Sequence, residues 1–571
     1  MNFTSLLLVA IMVTAAFAQN HGTQIGGFGS NLNQLGFGEK AKKVLVYKGI
    51  ETADVEIRDL TTEKTVLTAK LSDAEVWEFS GESVRKADFS GLNKAGVYAA
   101  YLGGRRISDN IVVNNNVYKD LFEASLKWFY YQRSSTALPS QYAGKWARAA
   151  GHPDTKVSFY PPSEKPENWT ISSPKGWYDA GDYGKYIVNS GISVFTILEL
   201  YEHFPNALKK FSLNIPESKS KTPDILEEVR WNLDWMLTMQ DSDGGVYHKL
   251  TTVRFSGHDM PETDLAERVV VMKTTAATLN FAAILAQASR IYKPFDAAFS
   301  QKALAAAEKA FDWSRKNPVI LFKQPDGMNT GQYNPGDETA KDETLWAATE
   351  LYAATKKKEY LDVVSSIPFT SNSPWWGDVN FLAVYRMAGL GGTVSKAARD
   401  TLLGLANFIA ETTEKSPYEL PVMKWNFVWG SNSAVANNGI VLLHAYYLTK
   451  NVKYLNAAQR ALDYLLGANP LSMSFVTGYG NRTPAFPHHR PSEGDEITDP
   501  VPGMLVGGPH EGGQDIKPNG RCDDYLQKGK PALCYVDDVC SYATNEVAIN
   551  WNAPLVYLSG ALHFLNLGEF P

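Results

Sequence analysis

Residues 276–288 read AATLNFAAILAQA and contain no charged side chain. Alanine and leucine are strong helix formers, so this stretch predicts a helix that is buried on every side. Residues 302–317, KALAAAEKAFDWSRKN, also predict a helix, but their charges form a stripe that would face water. Because helices of these two kinds alternate along the chain, we expect a layered helical barrel rather than a simple bundle.

Helical patterns recur from about Val117 onward, separated by loops of uneven length. Strands do not alternate with these helices, which argues against a parallel α/β fold. Two long loops, 150–183 and 471–541, contain many Pro and Asp residues. Since long loops of a compact domain are commonly functional, we expect a site where they meet at one end of the barrel. The predicted helices span residues 117–133, 184–203, 223–240, 268–292, 301–315, 342–355, 395–412, 434–449, 453–467 and 545–565.

Residues 25–115 lack helical periodicity and break into short β-rich runs separated by turn residues. Strands of this length and spacing predict a small β-sandwich. Such a domain could bind polysaccharide or could buttress the helical domain, and we favour the buttress because no cluster of exposed aromatic residues is evident. The runs are KVLVY (43–47), ADVEI (53–57), TVLTA (65–69), GVYAAYL (96–102) and NIVVN (110–114).

The composition excludes some classes of partner. The chain has 571 residues and a net charge of −6, and it has no extended basic run, which argues against nucleic acid or an anionic membrane as its main partner.

The amino-terminal residues 3–18, FTSLLLVAIMVTAAFA, contain an apolar run too short to span a bilayer and end in an Ala16-Phe17-Ala18 cleavage pattern. We therefore expect a signal peptide over residues 1–18 and a secreted or periplasmic protein, and we expect it to be a monomer.

The cysteines leave their pairing open. Cys522, Cys534 and Cys540 lie in one segment of the second long loop. A Cys522–Cys534 bridge would close this loop in an oxidising compartment, but all three pairings are compatible with the sequence.

Paired carboxylates in the first long loop are the first candidate for chemistry. In residues 176–186, GWYDAGDYGKY, the acids Asp179 and Asp182 are separated only by Ala and Gly. The small spacer lets the backbone bend tightly, so both carboxylates could face one water, orient it and accept its proton. The alternative is structural, with Asp182 as the N-cap of the following helix.

A lone acid near the carboxyl end is the second candidate. Glu546 opens a predicted helix and is the only charged residue in the segment NEVAINWNA (545–553). Desolvation among apolar neighbours would raise the pKa of Glu546 toward the value that a general acid needs. If Glu546 instead lies at a helix N-terminus, the macrodipole would lower its pKa, so the two interpretations make opposite predictions.

Two further groups are candidate binding residues. The cluster Pro487-His488-His489-Arg490 suits hydrogen bonding to a polar ligand, or an ion pair with a catalytic carboxylate, better than metal binding. Oxygen donors that could share a calcium ion are found at Asp342, Glu343 and Asp378. The alternative for these acids is a solvated position at a helix end.

Together these motifs resemble glycoside hydrolase family 9, the inverting β-1,4-glucanases, over residues 117–571. Residues 176–186 match the family's amino-terminal pattern, and Ser474–Gly478 through Pro487-His488-His489-Arg490 matches its histidine pattern. Its carboxy-terminal pattern is matched by Tyr535-Val-Asp537, Tyr542, Glu546-Val-Ala548 and Asn552-Ala553. Residues 25–115 are similar to the immunoglobulin-like domain found in one branch of the family. The resemblance implies an all-α (α/α)6 barrel preceded by a small all-β immunoglobulin-like sandwich.

The resemblance also implies roles for individual residues. Asp182 would be the general base, Asp179 would help to hold the water, and Glu546 would be the general acid. An inverting enzyme needs its acid and base roughly 6.5–9.5 Å apart with water between them. Asp537, His488 and Arg490 would bind sugar at the cleavage site or tune it. The remaining candidates for substrate contact are His248, His489, Tyr542, Trp375, Trp376, Trp425 and Trp429, with burial as the alternative for the tryptophans.

One departure from the family concerns metal. Members with this sandwich often carry a zinc site built from Cys and His before the paired carboxylates. Here Ser134 and Asp154 stand where thiolates would be, Tyr178 replaces a His, and His152 remains. Without soft ligands we expect no zinc at these positions. We expect the chemistry to need no cofactor, while a structural calcium ion remains open.

The sequence therefore predicts a secreted endo-β-1,4-glucanase acting on cellulose or a related β-glucan polysaccharide or oligosaccharide. An exo-acting cellobiohydrolase or cellodextrinase is an alternative, as is a preference for xyloglucan or mixed-linkage glucan. A non-catalytic carbohydrate-binding protein is a more distant alternative. Retention of Asp179, Asp182 and Glu546 argues against it, since a binding protein needs neither acid nor base.

Overall fold

A computed structural model describes residues 29–166, 168–336 and 338–571. The predicted signal peptide over residues 1–18 lies outside the described residues. Among the helices described, none is both long enough and apolar enough to cross a bilayer.

The amino-terminal part is a sandwich of two antiparallel sheets. One has strand order β1-β2-β6-β5 and the other β4-β3-β7-β8, with β9 also paired to β7. Side chains alternate along β3, where Val55 and Ile57 are fully buried between the sheets. The strands are β1 (Ser30–Asn31), β2 (Val44–Tyr47), β3 (Val55–Asp59), β4 (Thr65–Ala69), β5 (Glu75–Trp77), β6 (Glu82–Asp88), β7 (Gly96–Leu102), β8 (Arg105–Arg106) and β9 (Ile111–Val113).

Hydrogen bonds join this sandwich to the helical part. Asn33 Nδ2 donates to Asp463 Oδ1 over 2.9 Å, and Asn31 Nδ2 donates to the Asn469 carbonyl over 2.7 Å. Gln34 Oε1 accepts the backbone N–H groups of Asn481 and Arg482, in the loop that leads toward His488. These contacts to buried and loop groups of the helical domain are what a buttress requires.

The helical part consists of the following elements. They are α1 (Lys119–Tyr131), α2 (Ser140–Ala143), α3 (Ile187–His203), α4 (Pro205–Leu208), α5 (Asp224–Thr238), α6 (Thr275–Tyr292), α7 (Ala297–Lys316), α8 (Lys341–Thr355), α9 (Lys358–Ser366), α10 (Asn380–Ala388), α11 (Thr393–Lys415), α12 (Ser431–Thr449), α13 (Val452–Leu465), α14 (Arg490–Gly494) and α15 (Ile549–Asn566). Short 3-10 helices occur at Gly144–Trp146, Lys424–Asn426 and Pro531–Leu533.

Within the described residues, long helices alternate between an inner and an outer ring. The inner helices α3, α6, α8, α10, α12 and α15 are buried on nearly every side. The last of them, α15, packs against the first, α3, which closes the ring. The outer helices α1, α5, α7, α9, α11 and α13 bury one face each. The predicted (α/α)6 barrel preceded by a β-sandwich is thus confirmed.

Local sequence explains where the paired helices α6 and α7 begin. Thr274 caps α6 by accepting the N–H of Ala277, and Asp296 caps α7 by accepting the N–H of Phe299. Between these caps, α6 is the charge-free stretch predicted to be buried on all sides. Its alanines, such as Ala282 and Ala286, have no exposed surface.

A small mixed sheet at the loop end of the barrel was not predicted. Its strand order is β11-β10-β14-β13-β12, with β10 and β14 parallel and the other neighbours antiparallel. The strands are β10 (Val157–Phe159), β11 (Thr170–Ile171), β12 (Lys185–Tyr186), β13 (Lys249–Thr252) and β14 (Arg268–Val270). The helices predicted at 184–203 and 268–292 therefore begin later than expected, because β12 and β14 use their first residues for cross-strand pairing.

The cysteine pairing left open by the sequence is Cys522–Cys540 in the structure. Cys534 is a buried thiol outside this disulfide. The bridge closes the end of the loop that precedes Glu546.

Candidate active site

Backbone pairing brings three distant segments together at the loop end of the barrel. Ala180 pairs with Ala548 in an antiparallel bridge, and His488 pairs with Glu546 in a parallel one. The N–H of Ile549 donates to the Asp179 carbonyl over 2.8 Å, and that of His488 to the Asn545 carbonyl over 2.8 Å. The paired carboxylates, the histidine cluster and Glu546 therefore share one site.

Gly181 allows this close approach. An added Cβ at this position would overlap the His488 carbonyl oxygen and would lie 3.3 Å from Glu546 Oε1. The backbone of the Asp179–Asp182 turn thus lies directly against the Glu546 side chain. The Arg490 side chain holds the same turn, because its Nη1 donates to the Gly181 carbonyl over 2.8 Å.

Asp179 is enclosed, with 1% of its surface exposed. Asn189 Nδ2 donates to its Oδ1 over 2.7 Å, and the Tyr333 hydroxyl donates to its Oδ2. Burial, and then the nearby charge of Asp182, raise the pKa of Asp179 well above its usual range. The two hydrogen bonds oppose that rise.

Asp182 is slightly more open than Asp179, with 7% of its surface exposed. Its Oδ2 accepts the N–H of Gly184 over 2.9 Å and the Tyr186 hydroxyl over 3.3 Å. The following helix begins at Ile187 with Tyr186 at its N-cap. The alternative in which Asp182 is the N-cap of this helix is therefore wrong.

Glu546 is half-buried and precedes the helix that begins at Ile549. Burial, and then the charge of Asp182, raise the pKa of Glu546 well above its usual range, while Arg490 opposes the rise. This direction is that of the general-acid interpretation and opposite to that of the macrodipole alternative. A carboxyl that stays protonated near neutral pH can donate a proton to a leaving group.

The ring of His488 is held by the backbone through one of its two nitrogens. Its Nδ1 bonds to the Val539 carbonyl, and burial lowers the pKa of His488 to about 4. The imidazole is therefore neutral, with the proton on Nδ1 and an acceptor at Nε2.

The structure corrects the predicted substrate contacts of His489 and His248. Both side chains are 1% exposed. His489 bonds to Ser492 Oγ through Nδ1 and to Gln132 Oε1 through Nε2. His248 bonds to Thr274 Oγ1 and to the Gln332 carbonyl, beside Tyr333. Because both nitrogens of each ring are engaged inside the protein, these histidines position loops and do not reach a ligand in this arrangement.

The side chains of Arg490 and Asp537 also form hydrogen bonds that hold loops in place. Arg490 donates to the carbonyls of Gly181 and Ser256, rather than to a catalytic carboxylate. Asp537 accepts the N–H groups of Ala485 and Phe486 and an amide N–H of Asn545. These bonds fix the chain on both sides of His488 and directly before Glu546.

Aromatic side chains extend from the carboxylates in two directions. Tyr333 packs against Trp376, with ring centres 5.0 Å apart, and Trp376 packs against the half-exposed Trp375. On the other side, Tyr542 lies between His488 and the half-exposed Trp429, with ring centres 6.3 and 5.6 Å away. Neighbouring rings in these groups are tilted by 56–80°, so the half-exposed Trp375 and Trp429 are the rings that could offer a face to a sugar.

Trp425 belongs to a different environment. It is 63% exposed and stacks on Phe408, a residue of the outer helix α11. The structure places it beside the outer ring rather than in the row that leads to Glu546.

The candidate calcium donors are interior groups. Asp342 is 6% exposed and Glu343 has no exposed surface, so the alternative of solvated helix-end acids is wrong for these two. Asp342 Oδ2 accepts the N–H of Val379, the residue after Asp378. Carboxylate oxygens are the donor type that calcium prefers, but within the described part of the chain these three acids do not bring their ligand atoms within 4.8 Å of one another.

The positions at which the family resemblance implies zinc are engaged here in other contacts. His152 Nδ1 and the Tyr178 hydroxyl are 2.8 Å apart. Asp154 forms ion pairs with Lys185 and Arg268, at 2.7 and 2.8 Å. A carboxylate already paired with two cations is a poor zinc ligand, so these residues do not fit the metal.

Two family models match the chain. Residues 118–559 match glycosyl hydrolase family 9, and residues 31–106 match the cellulase N-terminal ig-like domain.

Known proteins match it along most of their length. The chain is 39% identical over 559 residues to a xyloglucan-specific endo-β-1,4-glucanase of Bacteroides ovatus, covering 94% of this chain and 93% of that protein. It is 32% identical over 548 residues to endoglucanase D of Acetivibrio thermocellus, covering 93% and 83%. The solved structure of a Bacteroides ovatus family 9 protein superposes with a TM-score of 0.87 at 37% identity, covering 94% and 99%. The chain therefore belongs to glycoside hydrolase family 9 and carries that family's immunoglobulin-like amino-terminal domain.

Proposed function

We propose that this glycoside hydrolase is an inverting endo-β-1,4-glucanase, with Asp182 as general base and Glu546 as general acid. The observation that carries the proposal is the backbone pairing of Ala180 with Ala548, which brings these two acids into one electrostatic environment. Relatives named as endo-β-1,4-glucanase and endoglucanase support the substrate class.

The reaction uses the two acids in opposite protonation states. Water attacks the anomeric carbon while its proton passes to Asp182. The bond from this carbon to the glycosidic oxygen breaks, and the oxygen takes the proton of Glu546. Asp179, fixed by Tyr333 and Asn189, orients the water beside Asp182. This chemistry needs no cofactor.

Two rows of aromatic rings support binding of a long glucan across the acids rather than at a closed end. Trp375 and Trp376 lead away on the Asp179 side, and Tyr542 and Trp429 on the Glu546 side. Sugar units on both sides of the cleavage point are what endo action requires. Xyloglucan is the second candidate substrate, because the 39% identical relative is named as specific for it.

Calcium at Asp342, Glu343 and Asp378 is part of the proposal as a structural ion only. Elemental analysis of protein purified in calcium-containing buffer and then desalted measures it. Absence of bound calcium would contradict the proposed structural calcium ion.

Product analysis tests the proposed activity. On carboxymethylcellulose we expect a rapid fall in viscosity, and on cello-oligosaccharides we expect products released as the α-anomer, read by NMR. Xyloglucan is assayed in parallel, and its faster hydrolysis would identify it as the preferred glucan. Cellobiose release without loss of viscosity would replace endo by exo action, and no product from any β-glucan would leave the binding-protein alternative.

Substitution of Glu546 tests the general acid. Glu546→Gln should lower the rate on an unactivated glucan by more than about 100-fold, since Gln has no proton to give. In the wild type, loss of kcat/KM on the alkaline side should occur well above pH 4.5, because the pKa of Glu546 is raised, and the variant should lack this limb. Glu493→Gln, an exposed acid in helix α14, is the control. A near wild-type rate for Glu546→Gln would remove the residue from this role.

Substitution of Tyr333 tests the positioning of Asp179. Tyr333→Phe removes the hydroxyl bond to Asp179 and should lower kcat by about 10- to 100-fold, the scale of a hydrogen bond to a charged group. Because that bond lowers the pKa of Asp179, the acidic limb of the pH profile should move to higher pH. Tyr160→Phe, whose hydroxyl bonds only to the Asp326 carbonyl among the described contacts, is the control. An unchanged profile would show that Tyr333 does not act through Asp179.

Secretion is proposed from the sequence of residues 1–18. Expression in a host with a secretory pathway, followed by sequencing of the mature amino terminus, should give Gln19 as the first residue. A retained Met1 would contradict the proposal.

A further inference from the structure

A buried cluster at the other end of the barrel has the composition of a metal site. Glu199 and His203 lie at the end of helix α3, and His444 lies near the end of helix α12. Helix α3 begins beside Asp182, so at 1.5 Å per residue these two residues are about 18–24 Å along the axis from the catalytic end. The cluster therefore takes no part in the proposed hydrolysis, and a ligand bound there would be independent of the proposed function.

The three side chains face one point. His203 Nε2 lies 3.7 Å and His444 Nε2 lies 4.0 Å from Glu199 Oε1. Their three ligand atoms lie within 4.8 Å of one another. Ligands of a tetrahedral zinc ion at 2.0–2.1 Å are about 3.3 Å apart, so small side-chain rotations would close the cluster on an ion.

His444 supplies an independent sign of a ligand. Its Nε2 is buried and forms no hydrogen bond within the described part of the chain, although the residue is only 6% exposed. The ring is fixed by stacking on Tyr385, with centres 4.0 Å apart and planes 12° from parallel. A buried nitrogen that points at a carboxylate across 4 Å of space costs free energy unless something lies between them.

His203 and Glu199, the other two ligands, are each oriented by a hydrogen bond to the side-chain atom that does not face the cluster. His203 Nδ1 bonds to the Tyr557 hydroxyl over 2.6 Å, which turns Nε2 toward Glu199. Glu199 Oε2 accepts Arg386 Nη2 over 2.7 Å, which leaves Oε1 toward the histidines. Outer partners of this kind fix the geometry of protein metal sites.

The surrounding charges favour a cation. Arg290 and Arg386 pair with the carboxylates of Glu199, Glu202 and Glu350, so this network holds one more carboxylate than guanidinium. Imidazole binds a metal ion through a ring nitrogen that carries no proton, and the unbonded Nε2 of His444 is positioned to serve in this way.

Space for a further ligand adjoins the cluster. A small cavity with room for about one water lies beside Glu199 and His444, with Thr196, Asn437, Tyr385 and Tyr557 also at its wall; the rest of the lining is apolar, from Phe195, Pro374, Leu382 and Ile440. We propose that Glu199, His203 and His444 bind a zinc ion, with a water from this cavity as the fourth ligand. Two imidazoles and one carboxylate suit zinc and do not suit calcium, which prefers oxygen donors. The ion would join helices α3 and α12 at the end of the barrel opposite the carboxylates.

Zinc content and thermal unfolding of untagged protein test this inference. After removal of metals and dialysis against zinc, the wild type should retain about one zinc per chain that His444→Phe does not retain. His444→Phe keeps a flat ring against Tyr385 but removes both nitrogens. His563→Phe, at a buried histidine of helix α15 outside the cluster, is the matched control and should retain the ion.

Zinc should also raise the unfolding midpoint of the wild type and of His563→Phe, but not that of His444→Phe. Equal zinc content and equal midpoint shifts in the wild type and His444→Phe would overturn the inference, as would absence of zinc from the wild type. If His444→Phe does not fold, cobalt titration of the wild type decides. Intense visible bands of tetrahedral cobalt support the site, and the weak bands of octahedral cobalt, or none, refute it.

Discussion

The active site depends on one backbone constraint, the pairing of the Asp179–Asp182 turn with the segment around Glu546. Acids more than 360 positions apart in the sequence meet because Ala180 pairs with Ala548 and the Asp179 carbonyl accepts the N–H of Ile549. Only glycine at 181 permits this approach. The closed ring of inner helices, in which α15 packs against α3, brings the two segments within reach of each other.

Burial then sets different tasks for acids of the same kind. Asp179 and Glu546 are both desolvated and both feel the charge of Asp182, so their pKa values rise. The two acids differ in the groups that oppose this rise in pKa. Asp179 accepts hydrogen bonds from Tyr333 and Asn189, whereas Glu546 is affected by the charge of Arg490. The raised pKa suits Glu546 to give a proton, while the proposed base is Asp182, the more exposed of the paired acids.

The fold and the candidate acids could be predicted from the sequence because each rests on a local pattern of residues with a characteristic structure. The charge-free stretch 276–288 predicted an inner helix, and the Asp179–Asp182 spacing and the isolated Glu546 predicted the candidate acids. Residue type did not reveal where a side chain points, so His248 and His489 were assigned to substrate although both are enclosed. Tyr333 was missed because its loop contains no motif. Residues 268–270 read as helix because the cross-strand partners of β14 are distant in sequence.

Buried ion pairs connect the loop before the paired carboxylates to the turn that carries Asp182. Asp154 stands where a zinc ligand is expected, and burial alone would raise its pKa, but Arg268 and Lys185 hold that pKa below its usual value. Lys185 belongs to strand β12, and Arg268 also donates to the Tyr183 carbonyl, directly after Asp182. The two ion pairs of Asp154 therefore connect the preceding loop to the turn that carries Asp182. Removal of one partner would leave a buried charge uncompensated, which is strongly destabilising.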